Sequence, residues 1–188
     1  MDKTRKFLNI IRAIESSGGL DTNHPKLRSG LHAGDSATGQ YALMPNTVDY
    51  LLNAEKRDTG EIPPYEHLKN LSSEQLKEAF AKDKAIPPAI RKTEEGAEEY
   101  LASQYANQLL DKYQDPELAQ AAWIQGHNAD PANLKELSKT HEIMSSRAGK
   151  ARKLIEAQKK EELLGRIPQS IKRQTKTPNI LDLLKLRE

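Results

Sequence analysis

Apolar residues recur along this chain mainly at spacings of three and four, which is the pattern of amphipathic helices rather than of strands. The first segment predicts a helix from about Thr4 to Ser16, ended by residues 17–19 (SGG), because glycine accepts the left-handed conformation of a helix C-terminus. Later segments predict helices over approximately these ranges: 46–56, a segment that starts at Ser72, 93–113, 115–126 and 131–164, the last broken near Gly149. With no convincing strand, the chain is predicted to be all-α.

The helix that starts at Ser72 has a complete N-terminal signature. Ser72 can accept the backbone N–H of Gln75, and the Gln75 side chain can reach back to the N–H of Ser72. Leu71 and Leu76 are spaced as a hydrophobic staple. Residues 20–40, by contrast, are rich in Gly, Asn, Asp and Ser and predict a long loop, of the kind that is often functional.

Composition narrows the class of protein. The chain has 188 residues with 36% hydrophobic and 30% charged side chains, which is typical of one soluble domain with or without an appendage. It contains no run of about 18 apolar residues, so no membrane span is expected, and no signal peptide is expected at its N-terminus. Cysteine is absent, which excludes disulfides, thiolate metal sites and cysteine nucleophiles.

Charge is distributed unevenly along the chain. Residues 1–134 carry 15 basic and 20 acidic side chains (net −5), whereas residues 135–188 carry 14 and 7 (net +7). All nine aromatic residues lie between Phe7 and Trp123. These differences predict a folded domain over 1–134 and a basic helical arm with an extended tail over 135–188 that docks on a protein partner. A solvated helix with a loose end is the alternative, and nucleic-acid binding is less favoured because the arm lacks aromatic residues for base stacking.

Glu15 is the first candidate for chemistry. It shares a helical face with Leu8 and Ile11, so it points toward the edge of the core. It also lies in the last turn, where the helix dipole disfavours a negative charge. Both effects are expected to raise its pKa, which suits a general acid; a solvated carboxylate is the alternative at a helix end.

Three segments together resemble the lytic transglycosylases, lysozyme-like enzymes related to the soluble lytic transglycosylases and goose-type lysozyme. Residues 15–19 read ESSGG, residues 39–47 read GQYALMPNT, and residues 121–126 read AAWIQG. Their order and approximate spacing match the family, and the resemblance covers roughly residues 5–130. It implies a lysozyme-like helical domain, with no cofactor and no metal.

The resemblance also implies a reaction and a set of site residues. Glu15 would cleave the β-1,4 bond between N-acetylmuramic acid and N-acetylglucosamine in peptidoglycan, acting first as acid and then as base, to leave a 1,6-anhydro product. The residues expected to contact or orient the glycan are Ser16, Ser17, Gln40, Tyr41, Trp123 and Gln125. The chain departs from the family at Ala42, Trp123 and Ile124, where Gln, Tyr and Asn are usual, which removes polar substrate contacts and leaves the acid in place.

Two other functions remain open at this point. A hydrolysing muramidase needs a second carboxylate near the cleaved bond, and Asp21 and Asp35 in the long loop are the candidates. A structural virion protein on a lysozyme-like fold needs no catalysis, and the replacements at Ala42 and Ile124 favour it. The leading expectation is a virion-associated enzyme that opens the host cell wall during genome entry, with other virion or secretion-machine proteins bound to residues 135–188.

Overall fold

A computed structural model describes residues 2–19, 24–26, 36–140 and 142–166 of the chain. Within these ranges it is mostly helical, and its only strand-like pairing is a single bridge between Thr38 and Leu43. The seven α-helices of the described ranges are α1 (Lys3–Glu15), α2 (Pro45–Thr59), α3 (Ser73–Ala85), α4 (Ala97–Tyr113), α5 (Pro116–Gln125), α6 (Pro131–Thr140) and α7 (Glu142–Arg166), with 3-10 turns at Glu66–Leu68 and Pro88–Ile90. The prediction of an all-α chain is confirmed.

The helix N-terminal signature predicted at Ser72 is present in the structure. The Ser72 hydroxyl accepts the N–H of Gln75 at 3.3 Å, and the Gln75 side chain accepts the N–H of Ser72 at 2.9 Å, which forms the predicted capping box. α5 likewise begins with Asp115, whose carboxylate accepts the N–H of Glu117 at 2.8 Å. Both caps satisfy N–H groups that a helix start leaves without partners.

Two helix boundaries differ from the sequence prediction. α4 begins at Ala97 rather than near residue 93, and the Asp83 carboxylate accepts the Ala97 N–H at 2.7 Å. The break predicted near Gly149 is absent, because Gly149 lies inside α7. A glycine inside a helix costs only about 1 kcal/mol, and the buried neighbours Ala148 and Ala151 supply packing that holds this turn.

The core forms around α4, which packs on α1, α2, α3 and α5, while α6 packs on α5. Fully buried aliphatic side chains fill the space between these helices: Ile11, Leu51, Leu52, Leu76, Leu101 and Leu109. Because both α1 and α5 pack on α4, the end of α1 that carries Glu15 lies close to the end of α5 that carries Trp123.

The chain divides into two compact units, Met1–Arg152 and Lys153–Glu188. The first unit includes α6, whose Leu134 is fully buried, and the N-terminal part of α7. In the second unit the structure describes the rest of α7, and the predicted tail over 167–188 lies outside the described residues. Among the described helices, none combines the length and the apolar character that a membrane crossing needs.

Candidate functional site

Glu15 is the last residue of α1, and its side chain is only 3% exposed. It forms part of the wall of a cavity of about 230 Å³. The other described residues of this wall come from distant parts of the chain: His24, Pro25, Ala37, Ala42, Met44, Trp123, Ile124 and Arg147. The fold therefore places the predicted acid beside the second and third sequence motifs.

Opposing effects act on the pKa of the Glu15 carboxyl group. Burial is the largest and raises the pKa of Glu15 above its ordinary value. Arg147 of α7 lowers it in part, because its Nη1 atom lies 3.1 Å from one carboxylate oxygen and 3.0 Å from the other. The nearby His24 lowers it further, to a smaller extent. The net effect is a raised pKa, which is the direction that a general acid needs.

The second motif forms a tight turn, residues 38–43, closed by two backbone hydrogen bonds between Thr38 and Leu43 at 2.8 and 3.0 Å. Two residues close to Glu15 make contacts that hold this turn in place. The Ser16 hydroxyl lies 2.7 Å from the carbonyl oxygen of Gln40, and His24 Nε2 lies 2.8 Å from that of Gly39. The position of the turn is thus tied directly to the end of α1.

Glu98, in the first turn of α4, also holds this turn. One of its carboxylate oxygens accepts the backbone N–H of Gln40 at 2.5 Å and that of Tyr41 at 3.2 Å. Burial raises the pKa of Glu98, and these two N–H groups partly offset the increase by stabilising the charged form. Glu98 therefore holds the turn that contributes Ala42 to the cavity wall, without lining the cavity itself.

Tyr41 and Trp123 connect the turn to the core. Tyr41 is 2% exposed, burial raises its pKa to about 12, and its carbonyl oxygen accepts the indole N–H of Trp123 at 3.0 Å. Trp123 packs against Phe7 and Tyr105, with ring centroids 6.1 and 4.8 Å away, and also lines the cavity. Of these two aromatic rings, Trp123 is the one placed to contact a ligand.

The remaining predicted residues lie in varied positions. Ser16 is buried, and Ser17 and Gln125 are exposed. Gln40 lines a separate cavity of about 170 Å³, on the side of the turn where Glu98 lies. Asp21 and Asp35, the candidate second carboxylates, are outside the described residues.

Sequence reasoning did not single out His24, Glu98 or Arg147 for the Glu15 site. Arg147 is one of many basic residues in the predicted arm, and nothing in its spacing marks it as the partner of a residue 132 positions earlier. For Glu98 the sequence does contain a clue in Gly39, because a glycine in a tight turn often marks a place where another group comes close to the backbone.

Glu98→Ala is expected to loosen the turn and to alter the environment of Trp123, the sole tryptophan. The substitution leaves the N–H groups of Gln40 and Tyr41 without their charged acceptor, and this loss should lower the free energy of unfolding by about 2 kcal/mol. It also leaves the Tyr41 carbonyl, which Trp123 contacts, less firmly positioned. The tryptophan emission maximum should move to longer wavelength, and the urea midpoint should fall. Glu94→Ala, an exposed substitution just before α4, is the matched control and should change neither quantity. An unchanged emission maximum in Glu98→Ala would show that the turn does not depend on Glu98.

Among the described residues there is no group of three or more His, Cys, Asp or Glu side chains that could hold a metal ion. Comparison of the chain with protein-family models, with curated proteins and with solved structures gave no match.

Proposed function

We propose that this chain is a peptidoglycan lytic transglycosylase with a lysozyme-like helical domain and with Glu15 as its acid and base. The observation that carries the proposal is the environment of Glu15: a carboxylate with 3% exposure, at the end of a helix, on the wall of a cavity that Trp123 shares. An aromatic wall suits a sugar ring, and a buried carboxylate with a raised pKa suits protonation of a glycosidic oxygen.

In the proposed reaction, Glu15 donates its proton to the oxygen that links the two sugars, and the bond between that oxygen and C1 of N-acetylmuramic acid breaks. Positive charge develops at C1 as the leaving sugar departs with the proton. The Glu15 carboxylate then takes the proton of the C6 hydroxyl, and O6 bonds to C1 to form the 1,6-anhydro ring. Glu15 ends the cycle protonated, so the reaction consumes no water.

The setting that we propose is a virion, in which the enzyme opens the host wall and residues 135–188 dock on another protein of the assembly. The net charge of +7 on these residues supports an electrostatic contact with an acidic protein surface. Docking on a virion protein would bring the enzyme to the peptidoglycan of the host wall at the point where the genome enters.

The experiment that tests this function is mass spectrometry of the fragments that the full chain releases from purified sacculi. Fragments lighter by one water than the hydrolysis products would support the transglycosylase reaction. Fragments with ordinary reducing ends would instead support a hydrolysing muramidase and direct attention to Asp21 and Asp35.

A second candidate, a structural virion protein without activity, is favoured by the lining of the cavity. Ala42 and Ile124 line the cavity with apolar groups at positions where the resembled family usually has amide side chains. In addition, Arg147 Nη1 contacts both carboxylate oxygens of Glu15. Binding of the chain to sacculi without release of any fragment would support this candidate over the enzyme.

A further inference from the structure

The pairing of Glu15 with Arg147 has features that oppose the proposed acid. One guanidinium nitrogen, Nη1, lies within 3.1 Å of both carboxylate oxygens, and the Glu15 side chain is 3% exposed. A guanidinium stays charged at any accessible pH, and an opposite charge at this distance favours the ionised carboxylate. In this arrangement Arg147 both covers the carboxylate and disfavours the protonated form that a general acid needs.

The space beside the pair is small. The described residues line a partly open cavity of about 230 Å³, whereas cavities that bind drug-sized ligands usually measure about 300–1,000 Å³. A glycosidic oxygen has to come within hydrogen-bond distance of a Glu15 oxygen, and Arg147 Nη1 already lies within 3.1 Å of both of them. Arg147 also forms part of the cavity wall.

Arg147 is the member of the pair whose side chain reaches solvent. Glu15 is followed by Ser16, which is buried and lies 2.7 Å from the carbonyl of Gln40, so the end of α1 is tied to the turn. Arg147 has a long side chain that is 34% exposed. Its guanidinium can therefore be hydrated when it leaves Glu15, which a fully buried arginine could not be.

We propose that Arg147 is a positioning residue that acts through Glu15: in the free protein it covers the carboxylate and favours its ionised form, and a glycan must separate it from Glu15 before cleavage. This inference rests on the proposed function of Glu15 as the acid. It also makes the N-terminal part of α7 a component of the site, although its sequence belongs to the predicted arm.

The first test is the titration of Glu15 in the full chain, followed by ¹³C NMR of the labelled carboxyl and assigned by its loss in Glu15→Gln. The charged and titratable groups that line the cavity with Glu15, among the described residues, are His24 and Arg147. An opposite charge changes a carboxyl pKa by about 1 to 3 pH units, so Arg147→Met should move the Glu15 midpoint upward by about one pH unit, given the partial exposure of Arg147. Arg147→Gln, which keeps a hydrogen-bond donor without the charge, is a second variant and should move it in the same direction.

Arg152→Met is the matched control. Arg152 lies on the same helix and pairs with Glu117 at 2.7 Å, so the substitution also breaks an arginine–glutamate pair and should leave the Glu15 midpoint unchanged. Labelling of Glu15 by a water-soluble carbodiimide and an amine, located by peptide mass spectrometry, should also become several-fold faster in Arg147→Met but not in Arg152→Met. An unchanged midpoint or an unchanged labelling rate in both Arg147 variants would overturn the inference.

Activity distinguishes this inference from the proposed function. If the chain cleaves sacculi, the alkaline limb of the pH profile of kcat/KM, measured as the rate at low sacculus concentration, reports the free enzyme and should move to higher pH in Arg147→Met, because activity needs protonated Glu15. A limb that stays in place would overturn the inference. If no variant cleaves sacculi, the proposed function fails, while the titration and the labelling still decide whether Arg147 controls Glu15.

Discussion

Glu15→Gln is expected to reduce fragment release from sacculi by about 10²- to 10⁴-fold, the usual contribution of a general acid or base. Glutamine has nearly the same shape and can still accept a hydrogen bond from Arg147, but it has no proton of suitable acidity to donate and cannot serve as the base in the second step. The measurement is the initial rate of release of soluble muropeptides, with the products identified by mass.

The control for this prediction is Glu117→Gln. Glu117 also pairs with an arginine of α7 but is 40% exposed and lies away from the cavity, so the substitution should leave the rate unchanged. Both variants should unfold at nearly the native urea concentration. Retention of more than a tenth of the native rate by Glu15→Gln would rule out Glu15 as the acid, whatever the products are.

The helices were largely predictable from the sequence because their signals are local. A capping box such as Ser72 with Gln75 involves residues three apart, so spacing alone reveals it. The sequence predicts the start of α4 too early because the N-terminus of this helix is set by a contact across the fold, in which the Asp83 carboxylate accepts the N–H of Ala97. A non-local contact of this kind leaves no periodic trace in the sequence.

The candidate site was predictable only in part, for the same reason. The position of Glu15 on the apolar face of α1 predicted its burial, and the 3% exposure of its side chain agrees with that expectation. The residues that set its charge and support its surroundings, Arg147 and Glu98, are distant in sequence from the groups they contact. The packing of α4 and α7 in the folded chain brings Arg147 and Glu98 to these groups, so residue spacing in the sequence could not identify the two residues.

Gly39→Ala is expected to be the most destabilising of the glycine substitutions near the site. Gly39 has φ of +77°, and a Cβ at this position would lie 2.2 Å from the Glu98 carboxylate oxygen that holds the turn. An alanine in this conformation costs about 1–2 kcal/mol. Displacement of Glu98 then leaves the N–H groups of Gln40 and Tyr41 without their acceptor, at about 1–3 kcal/mol for the loss.

The expected total is about 2–5 kcal/mol, a large fraction of the free energy of unfolding of a typical domain. Gly60→Ala separates the two contributions: Gly60 has a similar φ of +72° at the end of α2, but a Cβ there would meet nothing within 4 Å. Gly60→Ala should therefore cost only the conformational 1–2 kcal/mol. Urea unfolding followed by Trp123 fluorescence measures both variants on the same scale.

The double variant Gly39→Ala with Glu98→Ala tests the mechanism of this loss. Once Glu98 is gone the new methyl group has no carboxylate to displace, so the two substitutions should be clearly less than additive, with a coupling of about 1–2 kcal/mol. Full additivity, or equal costs for Gly39→Ala and Gly60→Ala, would mean that the turn tolerates the methyl group without moving Glu98. Sub-additivity would show instead that Gly39 is required because a carboxylate from α4 occupies the space beside it, and that the turn next to Glu15 is held by this close approach.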